Sequence, residues 1–393
     1  MISRLLIARH LRRGLTVLLA LAPCADLGAQ VHVPGDFPTI QDALDAVPDG
    51  AIIIVHGGIH GSIHIDRPVT LLGDPMPVIR TSCCEPFSEI ELPAIRLDGP
   101  GHGSVVLQRV ATQGKVQDGF ETAGGAGITG GGFDELLVLH ADIAGSDGAS
   151  AFGGGQLPGG PGIDVSVPYV MVTDSTVRGG SSNYPDDPQS TLDGTAGLRA
   201  PGASVAVLDS HVSGGGIGHV TFGFTAACPT CSQILGGEGG TGVLAGTLFT
   251  AHSTIEGGAG AECFCFAGTF TPICTKPAGA ALLVDALQDL SGELSATTPF
   301  EIGESSTLQW SARGAPAMLL VAFGTQVPEE HPGLGLLFLD PARAAFVMLD
   351  SGAALSEIVR IPPDATLVGL IATLQLFDPA VGLGPPVIAA FVP

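Results

Sequence analysis

Val170-Met-Val-Thr-Asp-Ser-Thr-Val-Arg-Gly-Gly180 returns 35 residues later as Val205-Ala-Val-Leu-Asp-Ser-His-Val-Ser-Gly-Gly215. Weaker copies occupy Leu136–Ser146 and Leu248–Gly258. Ahead of each copy, two small residues flank one position and lead into an aliphatic residue: Ile128, Ile163, Leu198 and Val243, spaced 35, 35 and 45 positions apart. A fixed period of short apolar strands punctuated by glycine marks a solenoid, in which each repeat buries its apolar edge only against its neighbours. Many glycines and few charges, with 45% hydrophobic residues, point to all-β structure rather than disorder. The length of 393 residues suggests two domains.

The start of the chain reads as an export signal. Arg4, Arg9, Arg12 and Arg13 form a basic region, Leu15 to Ala22 a short apolar core, and Gly28-Ala29 a cleavage point. Pro23 stands where a lipoprotein site at Cys24 would need a small residue. The apolar run is too short to span a bilayer, and no transmembrane segment is expected after signal removal. The remaining chain holds 11 basic against 37 acidic residues, a net charge of −26. That field disfavours nucleic acid and anionic membranes as partners, and it repels acidic glycans unless cations intervene. It also keeps an exported protein in solution. We therefore expect a secreted or cell-surface protein.

Upstream of the repeats, Val33-Pro-Gly-Asp-Phe-Pro-Thr-Ile-Gln-Asp-Ala-Leu-Asp-Ala-Val-Pro-Asp-Gly50 precedes Ala51-Ile-Ile-Ile-Val55, Ser62-Ile-His-Ile-Asp66 and Val69-Thr-Leu-Leu-Gly73. Ile40, Leu44 and Val47 share one face of a short helix with Thr39 at its N-cap. A helix here would cover the open end of a solenoid. This stretch resembles the opening of right-handed parallel β-helix proteins of the pectin-lyase-like superfamily, and the repeats to about Leu294 agree with it. The resemblance implies the fold; an activity needs catalytic motifs as well. The Asp-Phe-Ile-Phe-Gly strand of pectin methylesterases is absent, as are the Asp-His calcium region and paired arginines of pectate lyases. Gly101-His102-Gly103 copies the polygalacturonase motif by letter. That motif should follow paired aspartates, whereas Asp186-Asp187 lies downstream, so we read a turn.

Aligning the repeats on their closing glycines places Arg109, His140, Asp174, Asp209 and His252 at one equivalent position. In a stack of parallel strands such positions recur roughly every 4.8 Å. A row of acids and imidazoles can bind a cation or share a proton, as catalytic carboxylate pairs do. Parity favours a structural reading: Val170, Val172 and Asp174 alternate to one side, so the row continues the inward face and serves backbone N–H groups at a bend. If the chain is an enzyme, Asp174, Asp209, His140, His211 and Arg109 are its catalytic candidates. His56, His60 and His64 recur every four residues, but glycines break any helix that would gather them on a metal. Asp186, Asp187 and Asp193, on a long insertion, are the calcium candidates against a solvated acidic loop. Cys83, Cys84, Cys228, Cys231, Cys263, Cys265 and Cys274 read as disulfide staples of irregular insertions, with one thiol left over.

From about Pro299 the glycines thin out and the only tryptophan, Trp310, appears. Candidate strands are Ser306–Ser311, Ala317–Phe323, Gly335–Leu339, Ala345–Leu349 and Leu367–Phe377, the pattern of a small β-sandwich. The stretch resembles C-terminal modules appended to large exported bacterial proteins. The expected organisation is an all-β chain with signal peptide 1–29, a right-handed parallel β-helix solenoid 30–297 with its short N-terminal capping helix, and a C-terminal β-sandwich 298–393. The leading functional expectation is non-catalytic recognition of carbohydrate. A divergent polysaccharide lyase or glycoside hydrolase is the alternative from another class, and a structural surface or matrix protein is the third. Few aromatics weigh against both carbohydrate readings, because Trp310, Tyr169 and Tyr184 are the only Trp and Tyr.

Overall fold

The computed structural model describes residues 29–81, 93–114, 124–148, 158–182, 194–217, 239–260, 262–266, 270–275, 278–290, 294–296, 298–311, 317–324, 326, 328–332, 335–339, 344–349 and 355–393. The chain is all-β, with a large parallel sheet and additional antiparallel sheets. Two compact units are present, Ala29–Gln288 and one holding Asp289–Pro393. Among the described residues no helix is long and apolar enough to cross a membrane.

In the first unit each repeat contributes three strands, as in Ile128–Gly131, Glu135–Leu139 and Asp142–Ala144, then Ile163–Ser166, Tyr169–Thr173 and Thr176–Arg178. Every strand lies parallel to its equivalent one repeat away. Ile128, Ile163, Leu198 and Val243 are successive register partners, so the spacing seen in the sequence is the rung-to-rung step of the sheet. The 11-residue strand Leu198–Leu208 joins two series: its first residues pair with Ile163–Ser166 and its last five with Tyr169–Thr173. The large sheet therefore curls, a course compatible with a β-helix. The third strands form a separate seven-stranded sheet from Ile59–His60 to Thr254–Glu256.

Alternation within the strands sends one row of each series into a single core. Leu71, Leu107, Val138, Val172 and Val207 come from the middle series, and Ile79, Ile143, Val177 and Val212 from the third. The helix Ile40–Ala46 joins this core through Ile40, Ala43 and Leu44, and its Thr39 N-cap hydroxyl accepts from Asp42 N–H. The outer row of the middle series is buried too, including Leu137, Met171 and Phe249.

Where one repeat hands over to the next, glycine backbones meet with no side chain between them. Gly258 N–H donates to Gly240 O (2.7 Å), Gly240 N–H to Gly215 O (2.8 Å), and Gly215 N–H to Thr195 O (2.7 Å). The entering and leaving segments of successive repeats thus bond alternately into one seam. A Cβ on Gly215 would collide with Gly180 O, and one on Gly258 with Gly215 O. Only glycine permits this approach.

In the second unit, a three-stranded antiparallel sheet (Leu294–Ala296, Ser305–Trp310, Leu355–Arg360) shares one core with a five-stranded sheet. Trp310, Leu308 and Val359 meet Leu319, Leu374, Ala389 and Phe391 there. Most of the expected strands are found within a residue or two. The stretch expected as a strand from Leu367 instead begins with a 3-10 turn, Ala365–Leu367, and the strand runs Ile371–Asp378. The longest described strand of the unit, Gly382–Val392, is not among the expected strands, and Pro385-Pro386 lies within it. The register slips between Gln375 and Phe377 opposite these prolines, the kind of irregularity at which a strand tolerates proline.

Candidate functional site

The five residues aligned by repeat share one backbone state. Arg109, His140, Asp174, Asp209 and His252 all take positive φ, between 47° and 50°, at the corner between the middle and third strands. They are the only described non-glycine residues with positive φ. Asp and His are among the residue types that tolerate this left-handed region best. Each corner is held from outside its side chain: Asp174 N–H donates to Leu208 O (3.1 Å) and Asp209 N–H to Ala251 O (3.0 Å) in the next repeat.

This corrects the expected inward orientation. The left-handed residue breaks strand alternation, so the side chains leave the inward row and stand partly exposed, from 13% for His140 to 51% for His252. The backbone-satisfying task falls to the residue that follows. Ser175 Oγ donates to Thr173 O (2.6 Å) and accepts from Ala141 N–H (3.0 Å). Ser210 Oγ accepts from Ser175 N–H, and Ser253 Oγ from Ser210 N–H, each at 3.1 Å. This buried serine ladder was missed, although a serine follows the corner in three of the five repeats. Ser210→Ala should cost about 2 kcal/mol, because it strands a buried N–H at Ser175. A chemical-denaturation midpoint unchanged from wild type would refute that role.

The corner side chains also interact along the row. His140 Nδ1 lies 3.8 Å from Asp174 Oδ2, and His252 Nδ1 3.3 Å from Asp209 Oδ1. Burial pushes the His140 pKa down, and the Arg109 charge adds to this while Asp174 opposes it. Its Nε2 is buried with no hydrogen-bond partner, which also favours the neutral ring. Burial raises the Asp209 carboxyl, and the neighbouring Asp174 charge raises it further against the pull of His252.

His211 lies two residues beyond the Asp209 corner, in register with Thr176 and Thr254 and one rung further from Asp142. Beside that row, Arg178 donates to Asp142 Oδ1 at 3.1 Å. Arg109, His140, Asp174 and Asp209 thus occupy equivalent corners on successive repeats, and His211 lies on the adjoining strand of the seven-stranded sheet. No family model matches the chain, and no curated protein or solved structure matches it.

Other candidates lie elsewhere. Asp186, Asp187 and Asp193 fall outside the described residues, as do Cys83, Cys84, Cys228 and Cys231. Cys263, Cys265 and Cys274 belong to two paired antiparallel strands, with Cys263 opposite Cys274 in register. Among the described residues no group of three or more His, Cys, Asp or Glu could hold a metal ion. His56 and His60 are engaged with backbone carbonyls, and His64 faces Asp98 at 3.7 Å. Gly101 and Gly103 take positive φ around the bend at His102. Tyr169 and Trp310 are both buried, and Tyr184 is outside the described residues, so neither described ring offers a stacking surface.

Proposed function

We propose that the chain is an exported, secreted or surface-associated protein that recognises carbohydrate without turning it over. On this reading the first unit is a right-handed parallel β-helix of the pectin-lyase-like kind, capped by Ile40–Ala46, and the second is a β-sandwich module. One observation carries the functional reading: a row of Arg109, His140, Asp174, Asp209 and His252, continued sideways by Asp142, Thr176, His211 and Thr254. Carboxylates, imidazoles and hydroxyls at a repeated spacing of roughly 4.8 Å suit the hydroxyls of an extended sugar chain, at about one ring per rung. The buried rings of Tyr169 and Trp310 leave recognition to these polar contacts.

The test is a glycan panel on the mature protein. Saturable binding of a neutral polysaccharide is expected, and the double variant Asp174→Asn, Asp209→Asn should weaken it about tenfold by removing charge-assisted bonds. The variant should fold as well as wild type, since burial opposes the Asp209 charge and backbone groups hold both corners. Absence of saturable binding across a broad panel would end this reading.

A lyase or hydrolase is the second reading, favoured by the raised carboxyl of Asp209 next to Asp174. Enzymes that use paired carboxylates separate their proton affinities in this way. Unsaturated products or new reducing ends from the mature protein, abolished in the same double variant, would replace binding with catalysis.

A further inference from the structure

His32 sits in the first described strand, Gln30–Val33, which among the described residues is an edge of the large sheet and pairs only with Ala51–Val55. His56 follows that second strand, and its N–H donates to Val33 O at 2.7 Å, on the last rung of the pairing. The two imidazoles stack, with centroids 5.3 Å apart and planes inclined by 14°. His32 Nδ1 and His56 Nε2 are 3.2 Å apart. His56 Nδ1 lies 3.1 Å from Asp74 O, and His60 Nε2 lies 3.1 Å from His56 O.

These partners fix the protons. A carbonyl oxygen only accepts, so His56 carries its hydrogen on Nδ1 and His60 on Nε2. His56 Nε2 then presents a lone pair, and His32 Nδ1–H donates to it. We infer that this pair is a proton-operated clasp, which keeps the first strand docked until both rings are charged and then releases it.

The first added proton enters His32 at Nε2 and leaves the bond between the rings in place. The resulting imidazolium–imidazole bond is charge-assisted and stronger than the neutral one. The second proton has one place to go, His56 Nε2. Two N–H groups then face each other where one donated to the other, and two like charges stack. Three titratable groups surround the pair. Asp36 accepts from the His32 backbone N–H at 2.9 Å. Asp74 contributes its backbone carbonyl, and His60 adds a third imidazole against His56 O. None of them supplies an acceptor between the rings. Protonation therefore acts on the bond between the rings in two steps, the first tightening it and the second opening it. The range to examine is the one in which imidazoles in general gain charge, roughly pH 8 to 5.

Amide hydrogen exchange of the mature full-length chain reads this directly. Protection would be normalised to intrinsic rates at about pH 7.5, 6 and 4.5. The reporters are residues 30–33 with their partner amides Ile52 and His56, compared with the interior strand Tyr169–Thr173. Relative protection at the first strand should hold or rise at the middle pH and fall at least about tenfold at the lowest. His56→Gln retains an acceptor towards His32 and a donor towards Asp74 O but cannot charge, so its first strand should stay protected. Equal behaviour of the two strands at every pH would overturn the clasp, as would an undiminished fall in His56→Gln. Should that variant not fold, the imidazole nitrogen spectrum of the wild type decides. Hydrogens on His56 Nδ1 and His60 Nε2 support the clasp, and any other assignment removes it.

Discussion

Gly215→Ala should unfold the parallel unit or cost it more than about 4 kcal/mol, an exceptional penalty for one methyl group. The added Cβ meets Gly180 O, a backbone atom that is itself fixed by the neighbouring repeat, so no flexible side chain can move aside. Relief requires the seam to part, which breaks the Gly215 to Thr195 and Gly240 to Gly215 bonds together. Gly202→Ala is the matched control. Gly202 has a φ of +76°, yet nothing lies within 4 Å of its added Cβ. Only the left-handed strain remains there, about 1 kcal/mol. Urea unfolding followed by far-UV circular dichroism separates the two. Similar midpoints for both variants would mean that the seam is not a packed constraint.

Gln375→Leu should destabilise the second unit by about 3 kcal/mol despite similar side-chain volume. Gln375 is fully buried in the strand Ile371–Asp378. Its Oε1 accepts from Phe338 N–H (3.1 Å), and its Nε2 donates to Leu336 O (2.7 Å) and Gly384 O (2.8 Å). One amide therefore serves three backbone groups on two segments, Leu336 and Phe338 on one and Gly384 of the strand Gly382–Val392 on the other. Leucine leaves all three without a partner, and the loss is desolvation uncompensated rather than packing. The only tryptophan, Trp310, lies in this unit's core and reports its unfolding by fluorescence. A lowered midpoint with unchanged denaturant slope is the expected signature. A loss below about 1 kcal/mol would show that these backbone groups find other partners.

The repeat was legible because backbone register is periodic and the sequence carries the same period. Ile128, Ile163, Leu198 and Val243 announced the rungs, and Thr39 announced the helix start. The corner row was located correctly by alignment on the closing glycines. Its direction was misread, since parity assumes continuous strand dihedrals and one left-handed residue cancels that assumption. The same error hid Ser175, Ser210 and Ser253, whose task had been given to their neighbours. In the second unit Gly382–Val392 was not expected: the irregularity that accommodates its prolines, Gly384 and Pro385 opposite the single residue Leu376, appears only when the strand is paired with its neighbour. Tyr169 was counted among the few Trp and Tyr residues, and its burial depends on tertiary packing that no strand pattern states.

The five corners have a consequence for how such a chain changes over time. Four of the corners, Arg109, His140, Asp174 and Asp209, are held by their own N–H groups, and Ser175, Ser210 and Ser253 brace the backbone behind the last three, so these backbone bonds do not depend on which side chain occupies the corner. Asparagine or glycine would fit the same dihedrals at equal or lower strain. The row therefore behaves as a set of interchangeable sockets. The side-chain chemistry of the row can be rewritten one rung at a time, and the fold itself need not be renegotiated at any step.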